Sequence, residues 1–108
     1  MAKPYGESAG SYSTDVEGGA YVAVRMHIAG ALSPDYLGFV LERAIWLGLA
    51  GSAEHSGPGA VKVVAAGPEA LVGALEMACV LGPLDSLIET VDRQPADEIV
   101  AEGFAVRD

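Results

Sequence analysis

Between residues 20 and 51 the chain changes its hydrophobic period once, and that change constrains the fold more than any other feature. In AYVAVRMHIA (residues 20–29), Val22, Val24, Met26 and Ile28 alternate with Tyr21, Ala23, Arg25 and His27. A period of two belongs to a strand with one covered face, so the first set faces a core and the second a more open side. Gly30-Ala31-Leu32 then leads to Ser33, a candidate N-cap, with Pro34 at the first helical position and Asp35 in the first turn. From Pro34 to about Leu47 the period becomes helical, with Leu37, Val40, Leu41, Ala44 and Ile45 as the core stripe. Gly48 and Gly51 end the helix and return the chain to an extended path.

The rest of the chain repeats this alternation. Residues 51–56 are a short polar strand, joined through the turn Gly57-Pro58-Gly59 to the β-branched run AVKVVAA (residues 60–66), which makes a hairpin. A second helix starts at Gly67-Pro68-Glu69 and stops at Gly82-Pro83, with Leu71, Ala74, Leu75, Ala78 and Cys79 as its expected core stripe. Residues 84–94 hold a strand that ends at Pro95. An acidic linker (residues 96–102) precedes GFAVR (residues 103–107), a short edge strand. The order βαββαβ with one added strand is that of an α+β, ferredoxin-like sandwich, with two helices on one face of an antiparallel sheet. Residues 1–19, rich in Gly and Ser and carrying Tyr5 and Tyr12, read as a flexible arm ahead of a domain over residues 20–108.

Composition narrows the function classes. The net charge of -9, from 15 acidic and 6 basic residues, opposes nucleic-acid backbones and anionic membranes, since binding to either rests on Lys and Arg. Apolar runs are interrupted well before the roughly 20 residues that a bilayer requires. The N-terminus has no apolar segment of the signal-peptide kind, and Cys79 is the sole cysteine, so a reducing cytoplasm is the expected compartment. Cys79 is expected to pack as a small apolar residue.

Four stretches together resemble the acylphosphatases, small ferredoxin-like enzymes that hydrolyse acyl phosphates. They are FVLERAIWLGLAG (residues 39–51), GAVKVVAAGPEALVGAL (59–75), GPLDSLIETV (82–91) and EGFAVR (102–107). The resemblance implies a site in the loop between the first strand and helix, typically V-Q-G-V-G-F-R. There backbone amides and the final Arg cradle a phosphoryl group, and an Asn at the end of the second strand orients water; no metal or other cofactor is required. In this chain the loop runs from Ala31 to Leu37, one residue shorter than the pattern that the resemblance implies. Aligned back from Phe39, Leu37 stands at the catalytic Arg position and Tyr36 at that of its neighbouring Phe. The loop glycines are gone, Pro34 removes an amide, and Asp35 adds a negative charge where a phosphate would sit. His55 falls at the Asn position. Losing one preorganised electrostatic contact costs about 3–4 kcal/mol of transition-state stabilisation, and here several have changed together.

Three readings follow. The first is a non-catalytic domain acting through self-association or a protein partner, with Tyr36, Phe39, Trp46, Val72, Met77 and Val80 as an outward apolar surface that could merge across the two helices. The second is an acylphosphatase or altered phosphohydrolase using His55, with charge from Arg25 or Lys62. The third is a small-ligand site, suited to an anion, formed by Arg25, His27 and Lys62 on the open sheet face; the plainer alternative is their cross-strand pairing with Glu54 or Glu89. No metal site is expected, because His27 and His55 have no ligand-like spacing.

Overall fold

A computed structural model describes residues 20–97 and 102–107; the expected N-terminal arm lies outside the described residues. The alternating first segment forms β1 (Tyr21–Ala31), followed by α1 (Tyr36–Trp46), β2 (Ala50–Gly57), β3 (Ala60–Pro68), α2 (Glu69–Leu81), β4 (Leu87–Pro95) and β5 (Phe104–Arg107). The sheet order is β4-β1-β3-β2-β5. Its first four strands pair antiparallel, and β5 joins β2 in parallel, so the sheet is mixed. No described helix is long and apolar enough to cross a membrane.

The period-two pattern places Val24, Met26 and Ile28 of β1 opposite Ala65, Val63 and Val61 of β3, and all six are buried beneath the helices. Leu37, Val40 and Ala44 of α1 and Val72, Leu75 and Cys79 of α2 close this core. Because β3 is the middle strand, even its outward-facing Val64 and Ala66 are buried, at 6% exposure each.

Both helices sit rotated from their expected faces. Tyr36, placed in the outward surface by its sequence position, is completely buried, whereas Ile45, placed in the core, is 59% exposed. Tyr36, Leu37, Val40 and Ala44 supply the inward stripe of α1. In α2 the inward stripe is Val72, Leu75 and Cys79, so Val72 is core and not surface, while Leu71 and Ala74 face out. Most positions of α2 are apolar, so periodicity alone leaves its orientation open. At the junction with β3 the backbone passes close to Leu49: a Cβ at Gly67 would lie 2.5 Å from one of its methyls.

The start of α1 also differs from expectation. Pro34 and Asp35 form a turn in which the Tyr36 amide donates to the Ser33 carbonyl (3.1 Å), and Asp35, not Ser33, takes the N-cap position without a side-chain capping bond. Ser33 is 5% exposed, and its amide donates to Ser86 Oγ at 2.8 Å. This bond holds the loop ahead of the helix and caps none of the helix's own amides.

Candidate functional site

The loop from β1 to α1 is held by two tertiary hydrogen bonds. Gly30, at φ 155°, donates its amide to the Gly59 carbonyl (3.0 Å), which ties the end of β1 to the β2–β3 turn. A Cβ at Gly30 would collide with the Leu87 carbonyl where the β1–β4 register shifts, so glycine is required for that approach. The second bond, from Ser33 to Ser86, uses a backbone amide of the kind a phosphoryl cradle would present to its anion. Pro34 contributes no amide. The Asp35 carbonyl receives the Phe39 amide, and its carboxylate lies so close to Gly38 that a Cβ there would be 2.6 Å from Oδ1.

The loop opens on a shallow cleft of about 240 Å³ lined by Ser33, Asp35, Gly38, Phe39, Glu42, Pro83 and Asp85. Three of these residues carry carboxylates and none carries a basic group. A negative cleft on a chain of net charge -9 repels an acyl phosphate. Arg43 lies on the neighbouring helical turn, with its guanidinium carbon 5.2 Å from the centre of the Phe39 ring. Leu37 does not enter the cleft: it is 7% exposed and belongs to the hydrophobic core.

The remaining candidate residues divide between the two faces of the sheet. His55 pairs with buried Val61 and so points to the helix-bearing side, where it is exposed but does not line the cleft. Arg25, His27 and Lys62 occupy the opposite side, since their neighbours Val24, Met26, Val61 and Val63 fill the core. The sheet therefore separates His55 from the Arg25 and Lys62 side chains expected to assist it. Of these, His27 and Lys62 come together within one cross-strand row that crosses all five strands: Asp92, His27, Lys62, Glu54 and Arg107. Arg25 sits one row away and donates through Nη2 to Gln94 Oε1 at 3.3 Å. Cationic positions stand opposite carboxylates along this row, the arrangement that stabilises neighbouring strands. The sequence signalled Glu54 as a partner; Asp92 was missed, because only the β1–β4 register brings it to His27. Glu89 falls at the register shift and has no place in the row. Among the described residues no group of three or more His, Cys, Asp or Glu could hold a metal.

Of the expected surface residues, Trp46, Met77 and Val80 are exposed, at 80%, 60% and 46%, while Phe39 is half-buried against the core. Trp46 stands apart from Met77 and Val80. Tyr36 at the start of α1 meets Cys79 near the end of α2, so Trp46, roughly 15 Å further along α1, lies at the other end of the helical layer from Val80. Trp46 instead adjoins Glu42 and Arg43.

No family model matches the chain. The acylphosphatase of Xanthomonas oryzae pv. oryzae (strain MAFF 311018) is 44% identical over 63 residues, covering 58% of this chain and 72% of the relative. The acylphosphatase of Rhizorhabdus wittichii is 31% identical over 84 residues, covering 77% of this chain and 85% of the relative. Among solved structures, the acylphosphatase from Bacillus subtilis superposes with a TM-score of 0.74 at 20% identity, over 81% of this chain and 99% of that one.

Proposed function

The chain belongs to the acylphosphatase family, and we propose that it keeps the family's fold as a scaffold for protein association after the acyl-phosphate site has been given up. The observation that carries this reading is the place of Leu37. The position that in the family resemblance supplies the phosphate-binding Arg is a core leucine, and the cleft beside it is lined by Asp35, Glu42 and Asp85. A bidentate cation is replaced by apolar packing, and the local field favours cations. The Ser33–Ser86 bond acts in the same direction by occupying an amide of the loop.

Family membership by itself favours the second reading, retained acyl-phosphate hydrolysis with His55 holding the water. The two readings separate in one assay. Benzoyl phosphate is followed by ultraviolet absorbance with and without the purified chain at pH 5–8; the expected rate equals that of buffer. Saturable turnover lost in His55→Ala establishes the enzyme instead.

A further inference from the structure

We infer that the solvent face of α2 is a two-fold interface between two copies of this chain, an inference that rests on the proposed association function and names its partner. The helix EALVGALEMACVL has only two charged residues, Glu69 and Glu76, and Glu76 accepts a bond from Arg93 Nη1 at 2.7 Å. Its outward side is otherwise Ala70, Leu71, Ala74, Met77, Val80 and Leu81. A helix that is apolar all round is normally covered on all sides, whereas this one is covered on one. Met77 and Leu81 are 60% and 72% exposed, and Leu84, three residues past the helix, is 107% exposed.

Three properties point to a second copy. The first is area: with ordinary side-chain sizes, the outward residues of α2 and Leu84 leave roughly 600 Å² per copy, at the lower end of the roughly 600–1,000 Å² per partner of a stable interface. The second is charge. A chain of net charge -9 associates with itself only where carboxylates do not meet, and the outward side of α2 presents none besides the neutralised Glu76 and the terminal Glu69. The third is the order of side-chain sizes. Ala70 and Ala74 are the small residues of the first half of the face, beside Leu71 at 37% exposure, and Met77, Val80 and Leu81 are the larger ones of the second. Antiparallel pairing about a two-fold axis between positions 74 and 77 sets Met77 against Ala74 of the other copy and Leu81 against Ala70. The surface is thus complementary to its own reverse, as an isologous contact requires.

The test is sedimentation velocity on the full chain and its variants at tens of micromolar, with circular dichroism confirming that each is folded. The wild type is expected to sediment as a dimer. Met77→Glu and Leu81→Lys each bury a charge at the contact and raise the dissociation constant by about 100-fold or more, while Trp46→Glu leaves the dimer intact. A monomeric wild type, or a dimer unaffected by both α2 substitutions, overturns the two-fold interface. Assaying benzoyl phosphate on the same samples separates the failures: an inert monomer removes the second copy as partner, whereas hydrolysis removes the association function itself.

Discussion

The hydroxyl of Tyr36 donates to the backbone carbonyl of Cys79 across 2.9 Å of buried space. Cys79 lies in the last turn of α2, where the carbonyls have no amide partner within the helix, so the phenol of α1 satisfies an orphan acceptor of its neighbour. The position that the family resemblance gives to the Phe beside a catalytic Arg thus becomes a clamp between the helices. Tyr36→Phe keeps the ring and removes this bond from a fully buried site. It is expected to lower unfolding free energy by about 1–3 kcal/mol in urea titration, with no change in denaturant slope.

The same pair sets an alkaline limit on stability. Burial pushes the Cys79 thiol from its ordinary 9.0 up to about 12 and pushes the Tyr36 phenol further above its ordinary 10.0. Both groups are neutral when protonated and ionise more readily in the unfolded chain. Their contribution is complete below pH 9 and is lost as pH rises toward 12, because the unfolded chain releases the protons first. Unfolding free energy measured at pH 8, 9, 10 and 11 is expected to fall progressively above 9. Cys79→Ala removes the part of this slope that begins below pH 10.

Leu37→Arg, which on sequence restores the family's phosphate ligand, is expected to fail. The side chain of residue 37 enters the core, so the change buries a guanidinium among Val40, Ala44 and their neighbours. The cost is about 3 kcal/mol or more, visible as a large drop in melting temperature, with no gain in benzoyl phosphate hydrolysis.

On the open face, Lys62→Glu sets a carboxylate opposite Glu54 and next to His27. A loss of about 0.5–1 kcal/mol is expected if the row serves strand pairing. A thermal-shift titration with inorganic phosphate addresses the ligand reading: a phosphate-dependent rise in the wild type that Lys62→Glu abolishes marks an anion site, and an equal response in both marks a structural row.

The Ser33–Ser86 bond gives a fifth prediction. Ser86→Ala leaves the half-buried Ser33 amide without its partner and is expected to cost about 1 kcal/mol in the same urea titrations.

The sequence by itself determined the element order, because its signals are local. Alternation in β1, the Gly57-Pro58-Gly59 turn, and Pro68 and Gly82 at either end of α2 depend on backbone geometry within a few residues. The departure of Ala31–Leu37 from the loop pattern that the resemblance implies was equally legible, since that pattern is one of residue types. Tertiary structure decided what depends on residues far apart in the chain. It chose the inward faces of two helices whose apolar positions allow more than one, burying Tyr36 and Val72 and exposing Ile45. It placed His55 and Lys62 on opposite sides of the sheet, and it supplied Ser86 to Ser33 and Asp92 to His27. Periodicity fixes which residues share a face, but only packing against distant neighbours fixes where that face points.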